Sequence, residues 1–179
     1  WISLDIIAYL RLVSGTGNTR ANWLRIMNRP NRYIKREALA PFTSDISVAQ
    51  LKAYYQDKDW MLERLDRLEY DLSIMKRMSP YAAIHYLSNA MKYQDYLKDY
   101  AKEHHINEQE LLDVLNAVHE SSQSCRTFAE WFTYIDTYTE ELQKQAKSPA
   151  SNDANNESGV CLCTLHCAKG LEYPIVFIP

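Results

Sequence analysis

Met61, Leu65, Leu68, Leu72 and Met75 recur at alternating steps of four and three residues, which sets all five on one stripe of a single long helix. Such a stripe has to be covered by other elements, and the rest of the sequence offers mostly helices to do it. Ser79-Pro80 ends this segment and starts the next one, where Ile84, Leu87 and Met91 continue the spacing. Upstream, Ser3 reads as an N-cap with Asp5 in the first turn of a helix carrying Ile6, Leu10 and Val13, ended by Gly15. "RANWLRIMN" reads as a short second helix with Trp23, Ile26 and Met27 apolar, stopped by Pro30. Ser47 and Gln50 have capping-box spacing ahead of a helix with Leu51, Tyr54 and Tyr55 on one side. The same spacing joins Asn107 to Glu110, before Leu111, Leu115 and Val118, and Thr127 to Glu130, before Trp131, Ile135 and Leu142. Seven or eight helices are expected, and the fold class is mainly α.

The end of the chain breaks this pattern. "SPASNDANNESG", residues 148–159, is almost devoid of apolar side chains and reads as a flexible linker. Beyond it, Val160 to Leu165 and Ile175 to Ile178 are short, β-branched apolar runs expected to be buried strands.

With 46% hydrophobic residues the 179-residue chain can bury a core. Twenty Lys+Arg against 23 Asp+Glu give a formal charge of -3, so no broad positive field draws nucleic acid from a distance, and any such contact has to be local. The best basic cluster is Arg29, Arg32, Lys35 and Arg36, with Tyr33 among them. Of the four cysteines, Cys161, Cys163 and Cys167 crowd together without a secretory leader, which argues for a reducing compartment, with cytoplasm as the default. With His166 they could suggest zinc, but no second Cys/His pair supplies the other knuckle, so no metal site is expected. His104-His105 reads as a polar helix end, and the stripe Tyr93, Tyr96, Tyr100 as packing. No apolar run approaches the roughly 18 residues of a membrane span. The chain begins at Trp1 without an initiator Met, consistent with a piece of something longer.

Inside the strand-like flanks, "TLHCAKGLEY" places a hydroxyl, an imidazole, an ammonium, a glycine and a carboxylate in one turn, a set suited to phosphate and sugar. "VCLCTLHCAKGLEYPIVFI" resembles motif V of the UvrD/PcrA/Rep-type superfamily-1 DNA helicases, V-x-L-x-T-x-H-x-x-K-G-L-E-(F/Y)-x-x-V-F-I. Independently, "DIIAYLRL" and "WLRIMNRPNRYI" resemble that family's "D-x-x-A-Y-L-R-L" and "L-x-R-I-x-N-x-P-x-R-x-I". Two departures stand out. The family often has R-G-I-G where this chain has Arg32-Tyr33-Ile34-Lys35, and G-Y-x-x-x-L where Lys92 precedes Tyr93.

The resemblance implies a helical 2B-like subdomain inserted in a RecA-like 2A motor domain. Residues 1–28 would be a helical 2A border, 29–147 the 2B-like body, 148–159 the linker and 160–179 the return to the 2A sheet, whose short β segments carry motif V. It further implies an ATP-dependent, 3′-to-5′ translocase on single-stranded DNA that unwinds duplex, with the motor domains as partners and ATP and Mg²⁺ used by the intact protein. Thr164 and His166 would contact the single-strand phosphates, Glu172 the nucleotide ribose, and Lys169 and Gly170 would shape that turn. Arg32 and Lys35 are further candidates for DNA contact. The chain itself has neither a G-x-x-x-x-G-K-(S/T) loop nor an acidic Mg²⁺-holding motif, so no catalytic residue and no bound cofactor are expected in it. Two other readings stay open at this point: a helicase-nuclease subunit of the RecB or AddA kind, and a non-enzymatic helical interaction module.

Overall fold

The structure, a computed structural model, describes residues 1–17, 19–147 and Ile175. The expected linker, the two strand-like runs and the motif V turn lie outside the described residues, Ile175 aside. Residues 1–140 form one compact unit, and residues 141–179 are assigned to a second.

Among the described residues there are eight α-helices, one 3-10 turn and no strand. They are α1 Ile2–Ser14, α2 Arg20–Ile26, α3 Val48–Tyr54, α4 Asp59–Met75, α5 Pro80–Asn89, α6 Tyr93–His104, α7 Glu108–Ser121 and α8 Phe128–Lys147, with the 3-10 turn at Arg36–Leu39. The mainly helical class is therefore as expected. A lone bridge, Thr19 with Ser44, pins the N-cap of α2 to the segment before α3.

The boundaries follow from local chemistry. Gly15 closes α1 at φ 77°, a left-handed turn that costs glycine nothing. Ser47 and Gln50 exchange side-chain bonds with each other's backbone in a complete capping box. Ser79 caps α5, with Pro80 supplying the pre-set φ of its first residue. Thr127 Oγ1 accepts from the Glu130 N–H at 3.2 Å, and Glu130 accepts from the Thr127 N–H at 3.3 Å. The Arg126 and Thr127 backbone donors hold the Glu130 carboxyl below its usual range.

The core runs through α1, which packs against α2, α4, α5 and α7. Ile6, Tyr9 and Leu10 of α1, Ile26 of α2, Leu51 of α3, Met61, Leu65, Leu68 and Met75 of α4, and Trp131 of α8 are all fully or almost fully buried. Leu72, the remaining member of the α4 stripe, is half-buried.

Three sequence expectations are corrected. The first helix starts at Ile2 with Trp1 as its N-cap, not at Ser3, because the extra residue buries Ile2 one turn before Ile6. Tyr54 does not share the face of Leu51 and Tyr55. The helix stops at Tyr54, Tyr55 turns inward so that its hydroxyl accepts from the Lys35 N–H at 2.7 Å, and Tyr54 remains 48% exposed, edge-on to the Tyr55 ring. Leu142, expected to follow Trp131 and Ile135 along one face of α8, is exposed.

Candidate nucleic-acid interface

Asp5 sits on α1 with no accessible side-chain surface. A carboxylate taken out of water needs partners, and it has three. Arg25 donates at 3.1 Å, Arg29 donates to both oxygens at 2.8 and 3.0 Å, and the Tyr93 hydroxyl donates at 2.9 Å. Burial pushes the Tyr93 hydroxyl far above its ordinary value, and the neighbouring Asp5 charge adds to this, so the phenol stays a donor. Burial draws the Arg29 guanidinium down, yet the bond to Asp5 and the attraction of its charge, with smaller help from Tyr96 and Tyr93, together outweigh it and the net shift is upward. One carboxylate thus ties α1 to the end of α2, to the turn after it, and to α6.

The turn so anchored is built from its own side chains. The Tyr9 hydroxyl donates to the Arg29 carbonyl at 2.6 Å. Asn28 Oδ1 accepts from the backbone of Arg32 and Ile34, and Asn28 Nδ2 donates to the Ile34 carbonyl at 2.8 Å. Arg32 turns inward, donating to the carbonyls of Ile26 and Pro30 at 3.0 and 3.2 Å, with its guanidinium over the Tyr9 ring. The two N-terminal sequence segments, "DIIAYLRL" and "RIMNRPNRYI", therefore meet as one network.

Tyr33 is the product of that turn. It takes φ 60°, a conformation that costs a bulky L-residue about 1–2 kcal/mol, and its ring is 60% exposed. Lys92, the N-cap of α6, is also at φ 60°. Both positions carry glycine in the family patterns quoted above, and the left-handed backbone supplies the physical reason.

Lys92 lines a groove of about 460 Å³ together with Pro30, Arg32, Arg64, Arg67 and Met91, among others, with Asp71 as its carboxylate, and the Tyr33 ring lies against Arg64 of that lining. Asp71 is committed to the protein: it accepts from the Tyr86 hydroxyl at 2.9 Å and pairs with Arg67 at 3.2 Å. The groove therefore keeps a positive balance in a chain whose overall charge is -3. Trp60 and Tyr70, both at least half-exposed, stand on α4 beside it, with Arg64 over the Trp60 ring and Arg67 over the Tyr70 ring.

A family model described as the UvrD-like helicase C-terminal domain matches residues 3–179. The chain belongs to this family. The ATP-dependent DNA helicase PcrA of Bacillus subtilis (strain 168) is 26% identical to it over 190 residues, which cover 97% of this chain and 25% of that protein. Proteins with the same name from Staphylococcus epidermidis RP62A and Staphylococcus aureus Mu50 are each 24% identical over 192 residues, again 97% of this chain and 25% of theirs. This UvrD-like domain thus spans about a quarter of the length of the curated relatives it matches. No solved structure matches it. The resemblance to the UvrD/PcrA type is borne out.

Within the UvrD-like domain the candidate residues fall in three places. Arg32 lines the groove but spends its guanidinium on the turn; Lys35 is exposed, and its backbone N–H is held by Tyr55. Thr164, His166, Lys169, Gly170 and Glu172 lie outside the described residues, as do Cys161, Cys163 and Cys167. Arg64, Arg67 and Lys92 of the groove lining, and Trp60 beside it, are the residues that sequence reading missed. Trp60, Arg64 and Arg67 follow steps of four and three on α4, one position ahead of the Met61-Leu65-Leu68 stripe, and that second periodicity was the available signal. Among the described residues no group of three or more His, Cys, Asp or Glu side chains could hold a metal ion, and no helix is long and apolar enough to cross a membrane.

Proposed function

We propose that this chain is the 2B-like insertion, with 2A borders, of an ATP-dependent DNA helicase, and that its basic groove holds the phosphate backbone of the DNA being opened. The observation that carries the second half is the groove itself, where Arg32, Arg64, Arg67 and Lys92 line one depression beside exposed aromatic rings. Clustered cations with aromatic neighbours are the ordinary means of gripping a polyanion of stacked bases. The family match over residues 3–179 and the PcrA names of its relatives support the first half.

In this reading residues 1–28 are the 2A border, 29–147 the helical body, 148–159 a linker and 160–179 the returning strands. Thr164 and His166 grip single-strand phosphates, Glu172 meets the ribose of ATP, and Lys169 and Gly170 shape the turn between them. A turn that touches both ligands couples them, since closing the motor around nucleotide moves its DNA contacts. ATP with Mg²⁺ supplies the driving free energy in the motor core, translocation runs 3′ to 5′, and the work belongs to DNA repair or replication in the cytoplasm.

The test is ATP hydrolysis by the protein that carries this segment, measured with and without single-stranded DNA, together with strand displacement on a 3′-tailed duplex. Hydrolysis stimulated by the strand and displacement of the duplex are expected. Hydrolysis indifferent to DNA would sink the proposal.

A further inference from the structure

Arg64 lies between two aromatic rings that come from different parts of the chain, its guanidinium carbon 4.9 Å from the Tyr33 ring centroid and 5.2 Å from that of Trp60. Trp60 and Arg64 share a face of α4 by their spacing of four residues, while Tyr33 is delivered by the turn after α2. Three features separate this cluster from ordinary surface packing. Both rings are large and open, at 60% and 50% exposure. Tyr33 is held outward on a left-handed backbone, with its N–H donating to Asn31 Oδ1 at 3.1 Å, and strained residues of this kind gather at binding sites. Among the described residues Arg64 forms no ion pair, whereas Arg67 one turn on is paired with Asp71.

From this we infer that Tyr33, Arg64 and Trp60 form a stacking site for an unpaired nucleobase at the rim of the phosphate groove, which rests on the DNA reading above and adds to it a preference for single strand. A base can lie against an exposed ring face because every base presents a π-surface, and the neighbouring guanidinium adds a cation that meets the adjoining phosphate. Paired bases keep their faces covered by their neighbours in the stack, so a duplex offers the groove its phosphates but offers the rings nothing.

The experiment compares this chain's affinity for a short thymidine strand with that for a strand of the same length made of abasic sites, at one low salt concentration, by fluorescence anisotropy. The thymidine strand should bind about tenfold more tightly, the scale of a single base–aromatic stack. Trp60→Ala and Tyr33→Ala should each bring the thymidine strand down towards the abasic value. Trp60→Phe should keep most of the difference, and unchanged helical circular dichroism checks that each variant is folded. Equal binding of the two strands, or a difference untouched by Trp60→Ala, overturns the stacking site while leaving the phosphate groove intact. Failure of both strands to bind overturns the stacking site and the phosphate groove together.

Discussion

The hydroxyl of Tyr93 reaches back 88 positions in sequence to donate to Asp5 at 2.9 Å, joining the first helix to the sixth through a carboxylate that two arginines also hold. Asp5→Asn removes the charge that both guanidinium groups answer. Breaking a buried pair from one side costs about 3–5 kcal/mol; because Arg25 and Arg29 remain 35% and 37% exposed and regain water, the lower end applies. Urea unfolding should show a loss of about 3 kcal/mol, with Tyr93→Phe losing about 1 kcal/mol.

Lys92→Gly should move stability and DNA affinity in opposite directions. Glycine relieves the left-handed backbone at φ 60°, a gain of about 1 kcal/mol after its greater freedom in the unfolded chain is counted. The same change removes a cation from the groove. A higher thermal midpoint with weaker binding to duplex DNA is expected; parallel changes would show that Lys92 does not touch the polyanion.

Salt dependence tests the groove directly. If Arg64 meets one phosphate, Arg64→Gln lowers the slope of log affinity against log salt by about 1 in magnitude. Arg77→Gln, on an exposed residue outside the groove lining, should leave the slope unchanged. The readout is duplex binding by anisotropy across a salt series.

His119 provides a pH signature. Burial lowers its pKa below the ordinary histidine value, the nearby His85 lowers it further, and the Tyr81 carbonyl and Glu120 oppose the shift. Its ring stacks on Tyr81 at 3.9 Å between centroids. Because the unfolded chain binds this proton more readily than the folded one, stability rises with pH. The contribution is complete above roughly pH 6.5, the unfolded value, and is lost as pH falls below it towards the lower folded pKa. His119→Phe keeps a ring for the stack and removes the titration. The thermal midpoint of the unsubstituted protein should therefore fall relative to that of His119→Phe as pH is lowered from neutral, and a constant difference would contradict the assignment.

On the proposed function, Glu172→Ala in a helicase carrying this segment should impair nucleotide use more than DNA binding, and His166→Ala the reverse. Steady-state ATP hydrolysis and single-strand affinity, measured on both variants, check the division of labour; equal defects in both assays would count against it.

The helical frame was legible because its signals are local. Capping boxes at Ser47 and Thr127, the cap and proline at Ser79-Pro80 and the left-handed stop at Gly15 each act within a few residues. The α4 stripe was legible because burial imposes one period on one face. Ser3 and Tyr54 misled for the same reason in reverse: their fate depends on whether Ile2 finds the core and whether Tyr55 finds the Lys35 backbone, and neither is a neighbour effect. The Asp5 network was invisible, since a lone aspartate in a first turn reads as a dipole partner until distant Arg25, Arg29 and Tyr93 converge on it. The groove was half-visible. Sequence clustering picked out Arg32, which lines the groove, and Lys35, which is exposed outside its lining, while only folding brings Lys92 and the outer face of α4 to Arg32.

Asp5 also has a mechanical consequence. A carboxylate gripped from three directions is a shared junction, so a displacement of Tyr93 on α6 is felt on α1 and, through it, by Arg25 and Arg29. The groove-side turn that follows Arg29 and the start of α6 thereby answer to one buried charge.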